Sequence, residues 1–282
     1  MTSSPTFSFA RFGRKHIALP QQHGAWALWL GPFIAGAVIG GRLTWGLVWL
    51  TLAMLGMFLA LQPLTIWVKT LAGRRPADER GPALAWLGLY GLLALAGAAG
   101  LAGTGQAWVF SLGALMAPML TWQMWLVAQR AERGQVWVEA AGAAALALSA
   151  PAAEAVSAGA FTGRSLGLGM LCALQAVGAI VYVYACLAYR RLKTAPPWPD
   201  RWALARASMG WNGLALAGAA ALSWAGWAPA WASAGFALML AEVLYGALWR
   251  PPVGVKPVLI GVRQTVVSSL FSLALIWAYR AG

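Results

Sequence analysis

Stretches of about 20 predominantly apolar residues, the length that carries an α-helix across a hydrocarbon layer about 30 Å thick, recur along this chain. Nine can be marked, at approximately 24–41, 44–67, 82–103, 107–128, 136–155, 167–189, 207–225, 229–249 and 260–279. The fifth carries Glu139, Pro151 and Glu154 near its edges, and only a short link around Gly226 parts the seventh from the eighth. Composition agrees with lipid as the solvent. Of 282 residues, 61% are hydrophobic and 10% charged, with mean hydropathy +0.68, whereas an ordinary soluble domain is roughly a quarter charged. The predicted fold class is all-α: a polytopic transmembrane helix bundle of about nine helices.

Charge sets the expected orientation. Alternating sides from an N-terminus in the cytoplasm leaves only Arg42, Arg164 and Arg280, of 20 Lys and Arg, on the outer side. Because dropping one helix would reverse every later loop, this asymmetry supports the count together with the orientation, which puts the C-terminus outside. The localisation expected is the bacterial inner membrane. Residues 1–20 read as a basic cytoplasmic segment and 21–282 as one transmembrane domain. Ala35-Gly36-Ala37 loosely resembles a signal-peptide cleavage site, but the first apolar run is long enough to span.

A net charge of +13 and a pI near 10.9 do not point to nucleic acid, since the basic residues occupy short loops rather than one helix face. Cys172 and Cys186 fall about 21 Å apart along one predicted helix, too far for a disulfide. Many of the 18 Trp, such as Trp45, Trp67, Trp86, Trp108 and Trp137, end apolar runs, where amphipathic rings suit the headgroup region. Gly36 and Gly40, and the Gly97 to Gly103 region, allow close helix packing. Basic loops follow the second and sixth segments in corresponding places, compatible with a 4+4+1 internal repeat.

Polar groups within apolar segments are costly and become site candidates by default, with a satisfied structural hydrogen bond as the competing reading. Under this topology His23, Gln62, Gln123, Glu139, Asn212, Glu242 and Gln264 share the cytoplasmic half, from seven segments, and Gln22 and Trp26 flank His23. Polar groups at one depth are what a cavity open to the cytoplasm requires. His23 can donate, accept or carry a proton, or merely cap a helix. Glu139 could pair with His23 or Arg133. Glu154 and Gln175 are outer-half exceptions. No metal ligand set and no cofactor motif is expected.

The string Leu19-Pro20-Gln21-Gln22-His23-Gly24-Ala25-Trp26, followed by Gly31-Pro32-Phe33, resembles the N-terminal signature of the YwiC-like membrane proteins. Similarity continues at Ala150-Pro151-Ala152-Ala153, Val181-Tyr182-Val183 with Arg190-Arg191-Leu192, Lys256 to Gly261, and Ser269-Leu270-Phe271. The resemblance implies a bacterial multi-pass membrane protein and no particular reaction. It also implies an acidic residue after the last of these glycines, where this chain has Arg263-Gln264, and a histidine near Asn212.

Three function classes stay open, and whether the chain is an enzyme is not fixed. One is a transporter or small-molecule or lipid-binding protein, whose polar half-membrane groups and basic loops would draw an anionic lipid or anionic small molecule. Against transport stand the lack of a P-loop and of a plainly broken helix pair. Another is an intramembrane enzyme with the plan of UbiA-type prenyltransferases, an architectural analogy only. Those enzymes hold magnesium on Asp-rich loops, where this chain has Asp78-Glu79 and Asp200. The third is an accessory or assembly subunit. Beyond the bilayer, no partner and no oligomeric state is indicated.

Overall fold

The computed structural model describes residues 15–20, 23–132 and 134–281. All regular elements among them are helical: α1 (Lys15–Ala18), α2 (His23–Gly40), α3 (Trp45–Leu71), a 3-10 turn (Ala77–Glu79) leading into α4 (Arg80–Gly103), α5 (Val109–Ala128), α6 (Val136–Ala147), α7 (Ser149–Ala158), α8 (Gly163–Tyr189), α9 (Trp198–Trp224), α10 (Ala232–Leu244) running into a π turn (Tyr245–Trp249), and α11 (Pro257–Ala281).

Each of the nine apolar stretches falls on one of these rods. Among the described residues seven rods are long and apolar enough to cross a membrane: Trp45–Leu71, Ala77–Gly103, Val109–Ala128, Val136–Ala158, Gly163–Tyr189, Ala232–Trp249 and Pro257–Ala281. α2 contributes a shorter apolar helix, Gly24–Gly40. α9 is 27 residues long but diluted by Ser208, Trp211 and Asn212. It begins at Trp198, well before the apolar run at 207, because Pro197 and Pro199 preset helical φ and Asp200 suits the positive helix start.

The fifth rod is interrupted, contrary to expectation. Pro151 has no N–H to offer the carbonyl of Ala147, so the helix breaks at Leu148 and restarts as α7. Ser149 Oγ donates to the Trp29 carbonyl at 3.2 Å and fixes the restart against α2. Gly159, at φ 92°, then ends α7 in the left-handed conformation that glycine adopts without penalty.

The chain forms two compact units. In unit 1, which contains α1, α3, α4 and α5, α3 and α4 approach so closely that a Cβ on Gly97 would strike the backbone of Ala53. Ile17, Ile66 and Ala83 form a small core beneath α1, held by Tyr90 Oη donating to the Ala18 carbonyl at 3.0 Å.

Unit 2 contains α2 and α6 to α11. Here α2 lies on α7, and a Cβ on Gly36 or Gly40 would collide with the Ala150 carbonyl or with Ser157 and the Glu154 carbonyl. Bare backbone lets the helices touch where no hydrophobic force drives them together. α8 runs through the centre, with Leu168, Leu171 and Ala176 fully buried. Phe236 and Phe271 meet edge to face at 4.9 Å.

Arginine side chains donating to backbone carbonyls tie the two ends of unit 2. At one end Arg190 Nε donates to the Val255 carbonyl at 3.3 Å and Arg201 Nη1 to the Leu248 carbonyl at 2.6 Å. At the other, Arg164 Nη2 donates to the Tyr279 carbonyl at 2.7 Å and Arg280 Nη2 to that of Val38 at 2.8 Å. The first end also carries Arg191, Lys193, Arg206, Arg250 and Lys256, and is the basic end. Trp224 and Trp249 remain 93% and 66% exposed, as interfacial rings do.

Candidate functional site

At the basic end of unit 2, Glu242 of α10 faces Arg263 of α11. Arg263 Nη2 donates to Glu242 Oε2 at 2.9 Å, and Nε makes a close charge contact with Oε1 at 2.6 Å. The pair thus combines one charge-assisted hydrogen bond with a close charge contact, and Glu242 Oε1 takes no hydrogen bond of its own. The local backbone makes room for it. α10 loosens into the π turn, and Gly246 sits where a Cβ would run into the Tyr182 hydroxyl and stand 3.0 Å from Arg263 Nη2. The Arg263 Cζ also lies 5.9 Å from the centre of the Tyr245 ring, which attracts the cation through its negative face. Glu242 is the more enclosed partner, its side chain 15% exposed against 37% for Arg263.

The other expected site residues divide between the units. In unit 2, Asn212 is buried and its Nδ2 donates to the Ser208 carbonyl at 2.8 Å and towards the Gly178 carbonyl at 3.5 Å. Glu139 is exposed, with the Tyr184 phenol in hydrogen-bonding reach. Gln264 is buried beside Arg263 on α11, and Trp26 is half-buried, its ring 6.1 Å from that of Trp29. Glu139, Asn212 and Glu242 therefore all meet one helix, α8, through Tyr184, Gly178 and Tyr182. In unit 1, Gln62 Nε2 donates to the His16 carbonyl at 2.7 Å, while Gln123 is exposed on α5. Gln22, Arg133 and the side chain of His23 lie outside the described residues.

The basic loop of unit 1 is occupied by its own acids. Arg74 contacts Glu132 through Nη1 at 3.1 Å and Nη2 at 2.9 Å, Lys69 Nζ lies 3.2 Å from the same carboxylate, and Arg74 also donates to the Val127 carbonyl. The Arg74 guanidinium holds the Glu132 carboxyl down at about 2. Arg75 Nη1 lies 2.7 Å from Glu79 Oε2, and His16 Nε2 lies 3.3 Å from Oε1. Glu79, one of the two acids that a prenyltransferase-like loop would turn towards magnesium, is committed to structure.

Arg263 and Tyr182 complete the site; the sequence named them only as a departure from the family pattern and as part of a motif, not as site residues. Arg263 counted as a topology-setting cation and as a departure from the family pattern, although an arginine inside an apolar segment is itself a signal for a buried partner.

Residues 19–154 match the family model described as YwiC-like protein. The chain is YwiC-like over this span. The YwiC-like region holds the opening Leu19 to Trp26 motif, the Ala150 to Ala153 run, Glu139 and Glu154. The motifs at Val181 and Lys256, and the Glu242–Arg263 pair, lie beyond it. The curated Bacillus subtilis (strain 168) protein titled "Uncharacterized protein YwiC" is 37% identical over 73 residues, 26% of this chain and 27% of that protein. The alignment thus spans about a quarter of the relative's length. No solved structure matches the chain. With its apolar helices and YwiC-like region, the chain is a multi-pass membrane protein.

Proposed function

We propose that this is a bacterial inner-membrane protein with its N-terminus in the cytoplasm, which binds an anionic group, from a small molecule or a lipid, at Arg263. The observation that carries the reading is the Glu242–Arg263 pair, since an arginine inside an apolar helix is retained at a cost and commonly marks a ligand or ion path. Glu242 occupies the Nε and Nη2 edge, and Arg263 remains the more exposed partner. An arriving phosphate or carboxylate could share the guanidinium or replace Glu242, in the bidentate geometry arginine favours. The surrounding cations would raise the local concentration of such a ligand. The break at Leu148 and the π turn after α10 interrupt two rods of unit 2, which suits a binding or transport protein better than a passive bundle.

The test is thermal unfolding of the purified protein in neutral detergent, titrated with phosphatidylglycerol, inorganic phosphate or phosphatidylcholine. The reading expects stabilisation by one of the two anionic probes and its loss in Arg263→Gln. Equal responses to phosphatidylcholine and both anions, or an anion response unchanged in Arg263→Gln, would overturn it. Reporter fusions after Arg42 and Arg75 test the orientation, which requires them on opposite sides.

A further inference from the structure

At the opposite end of unit 2, two polar atoms are buried with nothing to bond. Glu154 on α7 and Tyr279 on α11 are each 4% exposed. Neither Glu154 Oε2 nor the Tyr279 hydroxyl has a hydrogen-bond partner. The two side chains lie within electrostatic reach of one another, with Arg164 and Cys172 in the same neighbourhood. The arginines of this end are turned elsewhere. Arg164 donates to the Tyr279 carbonyl and lies 5.1 Å over its ring, and Arg280 donates to the Val38 carbonyl. A buried acceptor left unmet costs about 1–3 kcal/mol, and more when charged. Such atoms in a folded protein ask for an explanation, and a missing ligand is one.

A cavity of about 220 Å³ adjoins Tyr279, walled by Arg164, Tyr279 and the Gly226–Pro229 link between α9 and α10. Tyr279 belongs to both features. Trp224, Trp227 and Trp231 on and beside that link are 93%, 42% and 58% exposed, which sets the cavity at the depth where lipid headgroups lie. Its surroundings are mixed in charge, with the Arg164 guanidinium and Tyr279 in the wall and the Glu154 carboxylate within electrostatic reach of Tyr279. A simple anion would meet Glu154 unfavourably, and a simple cation would meet Arg164. A phosphate joined to a primary ammonium suits both, because the phosphate can take the guanidinium and the ammonium can donate to the phenol and carboxylate.

We propose that this cavity binds a phosphoethanolamine group, with its phosphate on Arg164 and its primary ammonium directed to the Tyr279 hydroxyl and the Glu154 carboxylate. The group could be a phospholipid headgroup or a soluble ester. The experiment measures binding of phosphatidylethanolamine, phosphatidylcholine and glycerophosphoethanolamine to the full chain in neutral detergent by native mass spectrometry. Phosphatidylethanolamine should bind about tenfold more tightly than phosphatidylcholine, whose quaternary nitrogen has no N–H to donate. Competition by glycerophosphoethanolamine would identify a site open to soluble esters, and its failure to compete would identify a lipid site. Glu154→Gln should bring the preference close to unity, and Arg164→Gln should weaken both lipids. Tyr279→Phe, which removes one hydroxyl, carries the same expectation should Glu154→Gln not fold. Equal affinity for the two lipids, or a preference that survives both Glu154→Gln and Tyr279→Phe, would overturn the proposal.

Discussion

Glu242 and Glu154 lie in apolar rods at opposite ends of unit 2, and the protein treats them in opposite ways. Glu242 has a guanidinium held against it, by a hydrogen bond to Oε2 and a charge contact at 2.6 Å to Oε1, which takes no hydrogen bond of its own, whereas Glu154, the more deeply buried of the two, has an oxygen with no hydrogen-bond partner and makes no ion pair among the described residues, although Arg164 and Arg280 share its end. Nearby positive charge alone does not neutralise a carboxylate. A guanidinium already engaged by a helix-terminal carbonyl, as those of Arg164 and Arg280 are, has less to offer. An acid in a membrane helix is thus closed by a dedicated partner or left available to a ligand.

The largest test of this contrast removes the partner. Arg263→Ala should strand Glu242 and cost about 3–5 kcal/mol in reversible unfolding in detergent. The double variant Arg263→Ala, Glu242→Ala should recover much of that loss. A single variant as stable as the parent would show that Glu242 never depended on the pair. Next, Gly36→Leu would press a side chain into the Ala150 carbonyl, with about 1–3 kcal/mol expected from overpacking and a lower yield of folded protein by size-exclusion chromatography. Asn212→Ala, which deletes a bond to the Ser208 carbonyl without orphaning a charge, should cost about 1 kcal/mol.

Unit 1 supplies a pH control. The Glu132 carboxyl is held down at about 2, against an ordinary value of 4.5, chiefly by Arg74. Its folded form therefore prefers the charged state, so its contribution is complete above about pH 4.5 and disappears as pH falls through about 2. Glu132→Gln should flatten that part of the acid-unfolding profile and lower stability at neutral pH by about 1 kcal/mol or less. The smallest effect belongs to Glu154→Gln. With no protein partner to lose, the near-isosteric amide should change ligand-free stability by less than about 0.5 kcal/mol. A loss of several kcal/mol would reveal a hidden partner and collapse the comparison.

Much of the fold was legible. Length and apolarity located the helices, seven of which among the described residues are long and apolar enough to cross a membrane, since both are local properties of the chain. The start of α9 was missed because Asp200, Arg201 and Arg206 lower the hydropathy of turns that are nonetheless helical. Pro151 was visible, but its consequence depended on Ser149 reaching the Trp29 carbonyl, 120 positions away. The site was harder to read. Gln62 and Asn212 are polar groups in apolar rods, as a cavity would require, yet both satisfy backbone carbonyls. A sequence shows that a polar group is present and not which way it is met. Glu242 stood out as an unusual charge, while Arg263, 21 positions away, entered as a topology-setting cation and a departure from the family pattern and not as its partner.

The π turn has a practical consequence. Each residue of an α-helix advances the side-chain direction by about 100°, and a wider turn slips that count. A single helical wheel drawn through 232–249 would therefore mix lipid-facing and core-facing positions after Tyr245. Cysteine-scanning or cross-linking maps of this rod need two separate phases, one ending at Leu244 and another beginning at Trp249.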